Sequence, residues 1–398
     1  MIDNGKNSSF LTRRVLSKPF FPGISGGLQT TAKHRVKDLL NLSGGNTGNF
    51  LFVQALRRLL GRPDLVNQRQ NAAALTSGDY DYIAISAANW VNPRVDLQSR
   101  CEMIESTDLP CLVVGLGIQT QFGEGVPKLK KGTERFLKVV SERSRYISVR
   151  CPMTQEVLRA YGIHNVWVTG CPSLIGARVG YNPNLIKACP EKFDIQNVVI
   201  QGTRHGFSEE AFVSSEVKQL ILDIYKFAFK HNCPQLFQSE LPDMYYAMGR
   251  LGNKKIVRDV NQYLLKVYGS DIESTSSYLR DKGLVFWDLK PWFAKLSSYD
   301  FLIGTRIHGV VSALLSGIPA KLVVHDERTR GLARVMNIPS VNITELKKFT
   351  VDKVREIVLN SDMATFSAGF DRYKSEFHDF FRRNDVLFND VIGVKENV

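Results

Sequence analysis

Residues 300–319 read DFLIGTRIHGVVSALLSGIP, and the order of residue types in this stretch decides the fold class. Phe301-Leu302-Ile303 is apolar at every position, as a strand covered on both faces must be. Gly304-Thr305-Arg306-Ile307-His308-Gly309 is a turn of small and polar residues. Val310 to Leu315 reads as a helix, Gly317-Ile318-Pro319 ends it, and Lys321 to Val324 opens another strand. Strand, turn, helix and strand in this order form one unit of a parallel α/β sheet.

The same rhythm extends in both directions. Upstream, strand-like runs occur at Asn197–Gln201, Gln235–Gln238 and Leu284–Trp287. Helices are expected near Phe212–Lys230, Val257–Val267 and Pro291–Leu296. Earlier still, Tyr82–Ala87, Cys111–Leu116, Tyr146–Val149 and Val166–Thr169 are strands, with helices at Lys131–Ser144 and from Pro152 to near Gly162. Val36–Leu42 reads as the first strand, followed by the Gly-rich loop Ser43–Asn49 and a helix from Phe50 to Leu60. The Gly-, Asn- and Pro-rich stretch 176–194 interrupts the rhythm. The expected organisation is an arm at 1–35, a first domain at 36–175, a linker at 176–194, a second domain at 195–350 and a tail at 351–398. In the tail, Phe366, Phe370, Tyr373, Phe377 and Phe380 recur every three or four residues, an aromatic helix face expected to pack on the body.

Candidate chemistry follows from position. Ligands of open parallel sheets bind beyond the carboxyl ends of strands, and a helix N-terminus there offers free N–H groups to an anion. Arg306 adds a guanidinium that can clamp a phosphate or carboxylate, and His308 a group that exchanges protons near neutral pH. Gly202-Thr203-Arg204-His205-Gly206 follows another strand and repeats the G-T-R string, which makes Arg204, and less directly His205, candidates for the same cleft. His325–Gly331 follows the next strand and is rich in charge. Ser43–Asn49 and Gly115–Gln119 are small-residue loops at strand ends; neither is a P-loop nor a dinucleotide fingerprint.

Composition narrows the partners. The 398 residues are 43% apolar and 23% charged, which excludes collagen-like, mucin-like and disordered chains. Lys and Arg number 52 against 39 Asp and Glu, a net charge of +13 that favours anionic partners. No basic stripe interleaved with aromatics and no zinc-finger pattern is present, so nucleic acid is not an expected partner. The six cysteines form no CxxC pair and read as free thiols of a cytoplasmic protein. No apolar run approaches the ~20 residues that span a bilayer, and no metal-ligand motif is seen.

The chain resembles the polysaccharide pyruvyl transferase family. The stretch 300–319 is similar to the family's R-x-H segment, small-residue helix and G-x-P. GLARVMNIP (331–339), GGNTGNFLFVQALRRLL (44–60) and SVRCPMTQEVLRAYGIHNVWVTGCPSL (148–174) resemble further segments in the right order. Two positions depart from the pattern: Asn49 stands where Asp is frequent, and Cys171 stands in G-C-P where G-D-P is usual. Each removes a carboxylate from the first-domain side.

The resemblance implies two facing Rossmann-like domains (GT-B-like), phosphoenolpyruvate as co-substrate without another cofactor, and a sugar acceptor that approaches from the first domain. Arg306 and His308 are then the donor contacts and catalytic candidates, with Gly304, Thr305 and Gly309 forming the turn. Arg204, Arg328, Arg330 and Lys321 are candidates for the remaining positive charge. Asn46, Asn49, Gly117 and Gln119 are the acceptor-side candidates. The acceptor is expected on a polysaccharide or its precursor, including a lipid-linked one, with the basic chain contacting an anionic membrane face peripherally. Two alternatives stay open: a nucleotide-sugar glycosyltransferase, with Glu327 placed for a ribose, and a non-catalytic sugar- or anion-binding protein.

Overall fold

The computed structural model describes residues 15–63, 72–119, 125–204 and 214–391. Its first lobe holds β1 (Pro19–Phe20), β2 (Tyr82–Ser86), β3 (Cys111–Val114), β4 (Ile147–Val149) and β5 (Val166–Val168). β1, β2 and β3 are parallel neighbours, β4 and β5 form a parallel pair, and a Leu116–Val149 bridge joins the two sets. Pro19 sits in the outermost strand, where its missing N–H costs no ladder bond.

The second lobe holds β6 (Val198–Gln201), β7 (Gln235–Phe237), β8 (Gly283–Val285), β9 (Phe301–Gly304), β10 (Ala320–Val324) and β11 (Ser340–Asn342). All pair in parallel, in the order β11-β10-β9-β6-β7-β8. Counted from β6, this is the doubly wound order 3-2-1-4-5-6 of Rossmann-like sheets. The winding reverses between β6 and β9, and a crevice opens beyond their carboxyl ends. The two G-T-R turns that the sequence singles out lie at that switch point. The molecule is therefore the expected pair of α/β lobes, consistent with a GT-B-like fold.

Two sequence expectations change. Val36–Leu42 is a helix, so Ser43–Asn49 joins two helices instead of a strand and a helix. Its buried residues Val36, Leu39 and Leu40 follow the i, i+3, i+4 spacing of a helix face, which outweighs the apolar look of so short a run. The helix expected at Val310–Leu315 begins at Ile307, with Arg306 as its extended N-cap, so His308 lies within the first turn.

One apolar cluster runs through both lobes. The helix Asn49–Leu59, buried along nearly its whole length, packs on the short helix Ser173–Gly176 and on the helix Ile307–Leu315. A second cluster fills the far face of the first lobe. The C-terminal helix Ala364–Arg383 inserts Phe366, Phe370, Tyr373, Phe377, Phe380 and Phe381 into the shared core. It also returns to the first lobe, where Trp167 Nε1 donates to Glu376 at 3.1 Å and the Tyr146 N–H to Asn384 Oδ1 at 3.1 Å.

Candidate functional site

Between the lobes lies a solvent-open cleft of about 590 Å³. The second lobe lines it with Thr203 after β6, with Gln238 after β7, and with Thr305, Arg306, Ile307 and His308 after β9. Arg328 and Thr329 come from the helix Glu327–Val335. The first lobe contributes Asn46, Asn49, Ala88, Asn89, Gln119 and Arg150. Thr203 and Thr305 join the ends of β6 and β9 through their hydroxyls at 2.5 Å.

The loop 43–49 reaches across from the first lobe. Thr47 N–H donates to the Gln238 carbonyl at 3.0 Å. Gly48 must lack a side chain here: a Cβ would stand 2.9 Å from both Gln238 Nε2 and His308 Cβ. Asn46 Oδ1 accepts the Gly48 N–H at 2.8 Å, and Asn49 Nδ2 donates to the Ser43 carbonyl at 3.0 Å. An aspartate at 49 could not make that last bond, so the departure at this position is part of how the loop closes.

Arg306 is held from below. Its Nη2 donates to Glu240 Oε1 at 2.9 Å, to the Arg204 carbonyl at 2.6 Å and to Ser239 Oγ. Glu240 is fully buried and also accepts the N–H groups of Arg204, Gln238 and Ser239. Burial alone would raise its pKa. The Arg306 charge, the Ser239 N–H, the Arg204 charge and the Gln238 N–H overcome burial and hold its pKa at about 2. A fixed carboxylate thus orients the guanidinium at the head of the helix Ile307–Leu315.

His308 is buried, with Nε2 3.3 Å from Cys171 Sγ and its ring 5.3 Å from the Phe52 ring. Burial, then the charges of Arg150, Arg328 and Arg306, push its pKa well below the usual histidine value. The imidazole is therefore neutral near pH 7. Cys171, the second departure from the family pattern, stands directly against the imidazole.

Sequence reasoning missed Arg150. It follows β4 and is buried, with Nη1 donating to Asn89 Oδ1 at 3.0 Å and Nη2 to the Ala87 carbonyl at 3.4 Å. No carboxylate pairs with it among the described residues, and its Nε has no hydrogen-bond partner. Burial pushes its pKa down, although an arginine remains charged. The signal was its place at a strand end in the S-V-R-C-P string. Gln238 was missed as well: it is fully buried, lines the cleft, and neither amide atom has a partner. Polar atoms left unpaired at a cleft wall are the mark of a ligand site.

Other candidates fall elsewhere. Arg204 is turned inward, bonded to Asp243 at 2.6 Å and stacked 4.1 Å over Tyr225. Lys321 lies beside Cys189 and Asp362, away from the cleft. Arg330 pairs with Glu327 at 2.8 Å, and neither lines the cleft. Acids distant in sequence, Asp243 and Asp362, draw Arg204 and Lys321 away, whereas Arg330 is captured by an acid three positions before it. Gly304 and Gly309 pack against Gln201, while Gly117 makes room for the Arg150 side chain and Asn89. His205 lies outside the described residues. Arg328 does face the cleft, tied to Asp326 at 2.9 Å. The lining thus holds Arg150, Arg306 and Arg328 around His308, with no carboxylate among the described residues. Such a lining has the chemistry to accept a small polyanion.

Comparison with known proteins agrees in kind. The family model described as polysaccharide pyruvyl transferase matches residues 46–327. None of the curated proteins matches the chain in sequence. Among solved structures, Anabaena Alr3699/HepE in complex with UDP and glucose is 11% identical, with a TM-score of 0.42 over 93% of this chain and 96% of that one. UDP-N-acetylglucosamine 2-epimerase from Rickettsia bellii is 12% identical, with a TM-score of 0.32 over 78% of each chain. These two likenesses are too distant to bear on chemistry.

Proposed function

The chain belongs to the polysaccharide pyruvyl transferase family, and from that premise we propose which of its residues carry out the transfer. Members of the family are enzymes that move the pyruvyl group of phosphoenolpyruvate onto a sugar. The observation that carries the assignment is the cluster of Arg150, Arg306 and Arg328 around a neutral His308, with no acid in the lining among the described residues.

Phosphoenolpyruvate presents a phosphate and a carboxylate close together. Preorganised guanidinium groups offset that charge without having to reorganise. Arg306, held by Glu240, and Arg150, with no acid of its own, are assigned to the two anionic groups, with Arg328 at the rim. The Gln238 amide completes the set. Asn46, Asn49, Asn89 and Gln119 face the same space and are assigned to acceptor hydroxyls.

His308 is assigned the proton transfers. Burial and three nearby cations keep the imidazole neutral, and a bound polyanion offsets the field of those cations and draws a proton onto it. The imidazolium then protonates C3 of the enol, leaving an electron-poor C2. The first sugar hydroxyl adds to C2 and returns a proton to the imidazole. The C2–O bond to phosphate breaks, the second hydroxyl adds to C2 and closes the ketal, and its proton leaves with the phosphate. The nucleotide-sugar alternative gains no support, because Glu327 is paired with Arg330 outside the cleft.

Calorimetry with phosphoenolpyruvate tests the assignment. Arg150→Met leaves no carboxylate orphaned, so it is expected to fold normally and to lose about 1.5–3 kcal/mol of donor affinity. His308→Gln is expected to bind the donor but without proton uptake, and to lose about 10²–10⁴-fold in turnover. No binding by the wild-type protein, or full affinity in Arg150→Met, would sink the assignment. The proposal extends to a lipid-linked acceptor at the cytoplasmic membrane face, which the net charge of +13 supports. No helix among the described residues is long and apolar enough to cross a membrane. Co-sedimentation with phosphatidylglycerol but not phosphatidylcholine vesicles is the expected result.

A further inference from the structure

A second cleft of about 600 Å³ adjoins the first and shares Asn49 and Ala88 with it. Phe52 is the wall between the two. One side of its ring faces His308 and the Arg150 guanidinium, which lies 5.2 Å from the ring centre; Phe52 also lines the second cleft. The second cleft is rich in aromatic rings, with Phe21 and Trp90 joining Phe52. Its one cationic lining residue among those described is Arg100, and no carboxylate lines it.

Arg100 lies in the helix Gln98–Glu105, with its guanidinium carbon 4.6 Å from the Trp90 ring centre. The acids on its own helix are engaged elsewhere: Glu102 accepts from Gln98 and Glu105 from Arg135. Arg204, Arg306 and Arg328 each hold a carboxylate. Arg100 holds none among the described residues, and burial pushes its pKa down. Gly23 flanks it, and even a Cβ there would stand 3.9 Å from Nη1 and Nη2. A half-buried cation with an aromatic face and no counter-charge is costly unless an anion visits it.

We propose that this second cleft seats the acceptor saccharide, and that the acceptor carries a negative charge, a carboxylate or a phosphate, which Arg100 binds. The sugar ring lies against Trp90 and Phe52, and its reacting hydroxyls reach the first cleft past Asn49. The proposal rests on the reading of the first cleft as the donor site.

The test fills the donor site first. Protein saturated with phosphoenolpyruvate is titrated with methyl glucoside, methyl glucuronide and glucose 1-phosphate, with binding read by calorimetry. At least one charged probe is expected to bind about tenfold tighter than methyl glucoside, as one charge-assisted contact provides. Preference for the glucuronide identifies an acidic sugar, and preference for glucose 1-phosphate identifies a glycosyl phosphate. Arg100→Gln is expected to abolish the preference without changing donor affinity, and Arg100→Lys to restore part of it. Equal binding of charged and neutral probes by the donor-loaded wild type overturns the proposal, and that comparison needs no variant. Absence of phosphoenolpyruvate binding would instead overturn the donor reading.

Discussion

Glu240 shows what a single buried carboxylate does here. It joins the carboxyl end of β7 to that of β9 by accepting backbone N–H groups on one side and Arg306 on the other. Its pKa is about 2 in the folded chain against an ordinary 4.5. The stability this supplies is complete above pH 4.5 and is lost as pH falls towards 2; linkage puts it at about 3 kcal/mol. Glu240→Gln leaves Arg306 buried without a counter-charge. Urea unfolding at pH 7 should show a loss of about 3–5 kcal/mol, and the gap from wild type should narrow on moving to pH 3. A gap that does not depend on pH would mean that Glu240 acts through packing alone. Arg306 is therefore a poor first probe of donor binding, since removing it orphans Glu240. Arg150, with no acid to orphan, is the better one.

At the scale of elements, the helix Ile307–Leu315 is placed by contact rather than by propensity. All nine of its residues are buried. Gly309 faces the buried Gln201 side chain at the end of β6, where a Cβ would stand 1.9 Å from Oε1. That close approach sets how near Arg306 and His308 come to the β6–β9 crevice. Glycine to alanine within a helix ordinarily gains about 1 kcal/mol. Gly309→Ala is expected to lose about 1–3 kcal/mol instead, by overpacking. Thermal unfolding gives the sign directly, and a stabilised variant would show that the helix has room to shift. The 43–49 loop obeys the same logic through Gly48.

At the scale of the whole molecule, the lobes share one apolar core, and the C-terminal helix stitches across both. Trp90 and Trp167 report on the first lobe, Trp287 and Trp292 on the second. Fluorescence of variants that keep only one lobe's tryptophans should give coincident denaturant transitions, matching loss of helical circular dichroism. Separated transitions would mean that the core does not couple the lobes. Coupling matters because the cleft is built jointly: Arg150 comes from one lobe, Arg306 and Arg328 from the other. Neither lobe alone assembles that cluster of cations.

Strands with unbroken apolar runs, the turns after β6 and β9, and the aromatic face of the last helix could all be read along the chain, because period and turn chemistry are local. Arg306 and His308 were visible for the same reason: each stands a few residues beyond a strand. Arg204 occupies the equivalent turn, yet Asp243, 39 positions on, takes it inward. Arg150 reaches the cleft through a first-lobe strand end whose partners are distant in sequence. Val36–Leu42 reads as a strand only if its apolar content is weighed above the i, i+3, i+4 spacing of Val36, Leu39 and Leu40. The chain by itself determined the α/β class and the place of most of its strands along the sequence. Only the folded molecule decided which cations meet in the gap, because burial and Coulomb attraction act between side chains that the sequence keeps far apart.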